Sequence, residues 1–184
     1  MKVSVYIACS LDGFIARPNG DLDWLPEAET GASQDAGDYG YNNFFKSVDV
    51  LIMGRKTFEK VLSFGTWPYQ KKRVIVLSRI LNNLPYDLPD SVELKTISPN
   101  ELFNKLEEAG YQHAYVDGGV TIQQFLRDGL IDELIITRIP VLIGEGIPLF
   151  GSLRGDIKLK HVNSNSFMNG MVQSKYTAIK LSTA

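Results

Sequence analysis

Apolar residues along the chain fall into two kinds of run. Residues 2–9, 48–53, 73–78, 113–117 and 132–139 are short apolar or β-branched stretches bounded by Gly, Pro, Asp or Asn, the pattern of strands buried in a sheet. Between them, apolar spacings of three and four predict helices over about 37–47, 56–64, 98–109 and 120–129. The third is the clearest: Ser98-Pro99-Asn100-Glu101 reads as a capping box with proline at the first helical position. Its apolar stripe is Leu102, Phe103 and Leu106, and Gly110 stands just past its end. The fourth is read with Thr121 as cap, Gln124 three residues on, and Ile122, Phe125 and Leu126 on one face.

Alternating strands and helices imply a largely parallel sheet with helices on its faces. The tail differs, because two extended runs, 157–167 and 171–181, flank Met168-Asn169-Gly170 and predict an antiparallel hairpin at one edge. The expected fold class is therefore α/β, a single domain over residues 1–184 with a mixed, mostly parallel β-sheet flanked by helices and a C-terminal antiparallel hairpin.

Composition narrows the function. The chain has 184 residues, 44% hydrophobic and 22% charged, enough for one ordinary core. With 19 Lys and Arg against 21 Asp and Glu, no overall basic field exists to hold nucleic acid or an anionic membrane, so anion binding has to be local. Cys9 is the single cysteine and His113 and His161 the only histidines, so neither a disulfide framework nor a His/Cys zinc site is expected. The run from Val3 to Ala8 is short and polar for a signal sequence, and no apolar stretch approaches bilayer length; the expectation is a cytoplasmic protein with no membrane partner.

Local anion chemistry is offered at three strand ends. In an open α/β sheet, ligands bind beyond the carboxyl ends of parallel strands, where helix N-termini present free N–H groups. The strand at 48–53 runs into Gly54, Arg55, Lys56 and Thr57. The strand at 73–78 ends in Leu77, Ser78 and Arg79, and that at 113–117 runs into Asp117, Gly118, Gly119, Val120 and Thr121. Glycine allows close backbone approach to phosphate, Thr57 and Ser78 add hydroxyls, and the three cations add charge. Each cluster also has a plain alternative as solvated helix starts, a surface loop and a tight turn. Neither G-x-x-x-x-G-K-[ST] nor a three-glycine dinucleotide fingerprint is present; Gly144-Glu145-Gly146 lacks the third glycine and the helix.

Five motifs in order carry a family resemblance: residues 10–16 (SLDGFIA), 53–59 (MGRKTFE), 76–79 (VLSR), 116–119 (VDGG), and 132–134 (DEL) with 140–146 (PVLIGEG). Together they resemble the dihydrofolate reductase fold superfamily, in its riboflavin-biosynthesis reductase branch, similar to the RibD C-terminal domain. The resemblance implies an NADPH cofactor with its phosphates at residues 54–57. It sets Arg79, with Arg55 or Lys56, at the 2′-phosphate, and Gly118 and Gly119 at the pyrophosphate with Thr121 beside it. Ala8 and Ile15 would meet the nicotinamide amide.

It further implies hydride transfer to a C=N bond of a pyrimidine like 5-amino-6-(5-phosphoribosylamino)uracil or of a pteridine. Asp38 would be the proton source, Thr137 its hydroxyl partner, and Trp24 part of the substrate site. Read alone, Asp38 is a helix-start aspartate and Thr137 a β-branched strand residue, and Glu27, Glu29 and Asp35 are further acids nearby. Asn42 and Lys72 stand where folate reductases keep a phenylalanine and an arginine, which favours the riboflavin-type branch over true folate reduction. The remaining alternative is a non-catalytic NADP-binding protein. Dimerisation of riboflavin-type relatives is the ground for expecting a homodimer.

Overall fold

A computed structural model describes residues 1–26 and 38–180. Eight strands form one sheet in the spatial order β5–β4–β3–β6–β1–β7–β10–β9. They are β1 (Lys2–Ser10), β3 (Val50–Gly54), β4 (Arg73–Leu77), β5 (Val92–Lys95), β6 (His113–Asp117), β7 (Glu133–Ile139), β9 (Leu159–Ser166) and β10 (Val172–Ala178). From β5 to β7 every pairing is parallel, while β10 pairs antiparallel with both β7 and β9. The hairpin therefore closes one edge, as the Asn-Gly turn suggests. A second sheet pairs β2 (Phe14–Ala16) with β8 (Ile147–Pro148).

Two features depart from the sequence reading. Strand β5 has four residues at the sheet edge, too short for its alternation to stand out, and β2 and β8 are loop segments that extend only because they meet each other. The helices are α1 (Tyr41–Ser47), α2 (Arg55–Leu62), α3 (Pro99–Glu108) and α4 (Gly119–Arg127); residue 37 of the expected first helix lies outside the described residues. Ser98 caps α3, its Oγ accepting the Glu101 N–H at 3.2 Å. Thr121 does not cap α4. Gly118, at φ 89°, turns the chain straight from β6 into the helix, so Thr121 sits inside the first turn and is buried.

Strand alternation builds two cores, one on each face. Val3, Val5, Val50, Ile52, Ala114 and Val116 pack against Leu102 and Leu106 of α3 and Ile122 and Phe125 of α4. Leu51, Met53, Val74, Val76 and Tyr115 pack on the other face against Phe44 of α1 and Phe58 of α2. Burial on both faces explains why these strands read as nearly unbroken apolar runs. No helix among the described residues is long and apolar enough to cross a membrane.

The turns leaving β3 and β6 interlock. A methyl group at Gly54 would lie 2.6 Å from Thr121 Oγ1, and one at Gly118 would lie 2.1 Å from Thr57 Oγ1. Each glycine thus makes room for a threonine of the opposite helix. Gly54→Ala should lower the melting temperature through that one contact, at a cost of about 1–3 kcal/mol, the usual scale for overpacking. Adding Thr121→Ala should restore most of the loss, since the next Thr121 atom is 4.0 Å away. Gly118→Ala should resist rescue by Thr57→Ala, because Thr57 Cβ would still lie 3.2 Å away and φ is positive. Thermal melts of the four variants check this; equal rescue of both glycine variants would contradict it.

Candidate active site

The carboxyl ends of the parallel strands open onto a cleft of about 1310 Å³, larger than the ~300–1,000 Å³ of most small-ligand pockets. Ala8 and Ile15, residues 54–57, residues 77–79 and residues 117–121 all line it. The sequence-expected cofactor residues therefore share one surface. Helices α2 and α4 both point their N-termini at it, and neither has a side-chain cap, so their first N–H groups are free for an anion. Their start residues Gly54 and Gly118 give the room that Thr121 and Thr57 occupy, which holds the two helix starts close together.

The cations are not equivalent. Arg55 is held by Glu59 on its own helix, Nη1 lying 2.6 and 2.8 Å from the two carboxylate oxygens. Lys56 and Arg79 have no carboxylate partner among the described residues, so they are the freer pair for a phosphate. The Ser78 hydroxyl accepts the Ile80 and Leu81 N–H groups at 3.2 and 2.9 Å and shapes the loop that carries Arg79. Across the cleft, Lys60 of α2 reaches Asp21 at 3.2 Å, and Arg17 forms two bonds to Asp23 at 2.8 and 3.1 Å. These pairs fix the loop of Pro18, Asn19 and Gly20 as one wall.

Asp117 ends β6 on the same sheet face as Met53 and Tyr115. Burial pushes its carboxyl up to about 6, against the opposing hydrogen bond from the Gly118 N–H at 2.7 Å. Tyr41 and Tyr69 stand around it. Burial first, then the Asp117 charge, raises both phenols, Tyr41 to about 12, so both remain protonated donors at neutral pH.

The expected substrate residues sit apart from these. Asp38 is exposed at the start of α1; its oxygens accept the Gly40 and Asn42 N–H groups at 3.1 and 2.6 Å, and the Asn42 bond leads in holding its carboxyl below the usual range. It does not line the cleft. Thr137 is buried beside Ala8, its Oγ1 accepting from Gln173 Nε2 at 3.0 Å. That amide also donates to the Tyr6 hydroxyl and the Tyr39 carbonyl, at 2.9 and 3.2 Å. Trp24 is buried with Ile139 and Met171 against Ala8 and Leu25, and its Nε1 has no hydrogen-bond partner among the described residues. Glu27, Glu29 and Asp35 lie outside the described residues.

Sequence reasoning missed Tyr6, Tyr41, Tyr69 and Gln173. Only alternation along β1 and β6 pointed at part of this group, since it sets Tyr6, Tyr115 and Asp117 on one face. Tyr41, Tyr69 and Gln173 come from separate stretches and carry no shared spacing.

Comparison with known proteins identifies the family. Residues 1–173 match the model of the RibD C-terminal domain, and the chain belongs to that family. The uncharacterised protein YwjB of Bacillus subtilis is 36% identical over 174 residues, covering 90% of this chain and 92% of its own. A crystal structure of a putative riboflavin biosynthesis protein from Shewanella sp. PV-4 superposes with a TM-score of 0.89 at 39% identity, covering 98% of this chain and all (100%) of that one. Dihydrofolate reductase from Enterococcus faecalis, solved with NADP(H) and the compound RAB-propyl, superposes with a TM-score of 0.67 at 18% identity. That likeness covers 97% of each chain and places this protein in the dihydrofolate reductase fold.

Asp117 should leave a mark on stability. A carboxyl whose folded value lies near 6, above its ordinary 3.8, opposes folding once ionised, so its cost develops as pH rises through that window and is complete above it. Asp117→Asn keeps the shape and an acceptor for Gly118 but carries no charge. It should melt higher than the parent at pH 8, keep about half of that advantage at pH 5, and come nearly level with it only near pH 3.5, below the ordinary 3.8. An equal difference at all three pH values, followed by scanning fluorimetry, would count against the buried carboxylate.

Proposed function

We propose that this chain is an NADPH-dependent reductase that delivers hydride to a C=N bond of a small planar nitrogen heterocycle of the pyrimidine or pteridine class. The observation that carries the reading is the cleft itself, one surface lined by two uncapped helix N-termini, by Lys56 and Arg79 and by the half-buried carboxyl of Asp117. NADPH, when bound, supplies the hydride. The residues at 54–57 and 118–121 would hold its pyrophosphate through backbone N–H groups, and Lys56 and Arg79 would hold the 2′-phosphate. Ala8 and Ile15 would meet the nicotinamide.

Hydride adds to the carbon of C=N, and a proton must reach the nitrogen. We assign that proton to Asp117. Asp117 lines the cleft and burial pushes its carboxyl up to about 6, whereas the Asp38 carboxylate is stabilised in its ionised form by two N–H groups at a helix start. Thr137 and Gln173 brace the substrate face through Tyr6 and Tyr39.

True folate reduction is the weaker reading for a structural reason. Lys72, in the place of the tail-clamping arginine, donates to the Val48 carbonyl and lies 4.8 Å from the Phe45 ring centre, so it is committed to the protein. A homodimer would draw on the free edge of β9, where Leu159 and Val162 are exposed.

Two experiments test this reading. NADPH should bind at least tenfold more tightly than NADH, and Arg79→Ala should remove most of that preference while changing NADH affinity little; equal dissociation constants in the parent would refute the 2′-phosphate site. With a reducible heterocycle, Asp117→Asn should lower kcat by a factor on the order of 10² or more, the scale for losing an acid-base group. Asp38→Asn should cost less than about tenfold, and the reverse ranking would return the proton to Asp38.

A further inference from the structure

The loop that follows β2 is built as a small rigid body. Arg17 grips Asp23 with two bonds, at 2.8 and 3.1 Å, while its backbone N–H meets the Asp21 carbonyl and its carbonyl the Gly20 N–H, both at 2.9 Å. Asn19 closes the inside of the turn, its Oδ1 accepting the Asp21 N–H at 3.0 Å and its Nδ2 donating to Asp21 Oδ2 at 2.7 Å. Gly20, at φ 87°, makes the bend at the tip. A segment bonded to itself in this way moves as one piece, with the change in backbone angles confined to its ends.

A single polar contact fastens this piece to α2. Among the described residues, the bond from Lys60 Nζ to Asp21 Oδ1, at 3.2 Å, is the one hydrogen bond or ion pair that joins residues 17–23 to that helix. It links two separate lining elements of the cleft, the loop through Pro18, Asn19, Gly20 and Leu22 and the helix through Lys56 and Lys60. Asp21 itself does not line the cleft, so the pair sits at the rim. Its side chains are 33% exposed for Lys60 and 55% for Asp21, and such a pair breaks and reforms readily. Once Lys60 lets go, Asp21 keeps its bond to Asn19, so the loop can swing away without losing its shape.

We propose that Asp21 and Lys60 form a latch: the ion pair closes the loop of residues 17–23 against α2, and its opening sets how fast the dinucleotide enters and leaves the cleft. Asp21 is thus a positioning residue that acts through Lys60. This rests on the reductase reading and adds to it the step by which the cofactor exchanges. A latch differs from simple charge steering. Removing the Asp21 charge makes the rim more positive, and steering alone would then speed association of the anionic dinucleotide but not its release. Loss of a latch that is shut both with and without ligand lowers the same barrier from both sides, so entry and release speed up together.

The test is stopped-flow binding of NADPH to the full chain, followed by energy transfer from tryptophan to the nicotinamide. Three proteins are compared: the parent, Asp21→Asn, and the exchanged pair in which Asp21→Lys is combined with Lys60→Asp. In Asp21→Asn at low salt, association and dissociation rate constants should each rise about two- to fivefold, the scale of a half-exposed ion pair, with the dissociation constant held within about twofold. Raising the salt to about 0.5 M should bring its release rate and the parent's together, because the parent's pair is then screened. The exchanged pair should return both rates to within about twofold of the parent's. Faster association alone assigns Asp21 to charge steering and overturns the latch, as do unchanged rates in Asp21→Asn or fast exchange in the swapped pair. Failure of the parent to bind NADPH is a different result, which removes the reductase reading and the latch together, whereas NADPH binding with rates insensitive to Asp21 removes the latch alone.

Discussion

Two close approaches between backbone and side chain hold the working end of this protein together. Gly54 admits Thr121, and Gly118 admits Thr57, so the turn from β3 into α2 and the turn from β6 into α4 lie against each other. Because β3 and β6 are neighbours in the sheet, the contact brings two helix N-termini to one place. Their free N–H groups and aligned dipoles then act on the same volume, and an anion there meets two positive ends instead of one. The threonine hydroxyls lie inside this joint, so their first task is packing, and any contact with a ligand is made from an already fixed position.

The second wall of the cleft depends on a knot of hydrogen bonds around Asp12. Its carboxylate accepts the Ser10 hydroxyl at 2.5 Å and the Ile143 and Gly144 N–H groups at 3.1 and 2.8 Å, and the Ser10 bond leads in holding it below the usual carboxylate range. Leu11 donates to the Val141 carbonyl and Leu149 to the Gly13 carbonyl, at 2.8 and 3.0 Å. These bonds tie the segment after β1 to the loop after β7, two pieces far apart in the chain. Ile15, which contacts the cleft, is set by that tie and by the pairing of β2 with β8. The "LDG" and "LIGEG" stretches thus serve as the two halves of one hinge-like support.

Asp117 shows the usual conflict between stability and chemistry. A carboxyl at the end of a central strand, walled by tyrosines, would be better replaced by a neutral group if folding were the only demand. Held there, it can carry a proton near neutral pH, and the phenols around it stay protonated. Asp38 has the opposite surroundings, exposed and bonded to two N–H groups, which favour its ionised form.

The linear order of residues determined the parallel sheet, the hairpin after Gly170 and the set of glycines and cations at three strand ends, because alternation, turn chemistry and strand-end position are local properties of a chain. It also carried the match to the RibD C-terminal family over residues 1–173. Only the tertiary structure decided that Lys72 is taken up by a distant carbonyl and a ring, whereas the Arg55–Glu59 pair, one helical turn apart, is a local feature of the chain. It likewise decided that Thr121 packs inside α4 instead of capping it, and that Asp117 rather than Asp38 lines the cleft. Burial and charge at a site are sums over residues from many stretches, so Tyr6, Tyr41, Tyr69 and Gln173 become a group only when the chain has folded.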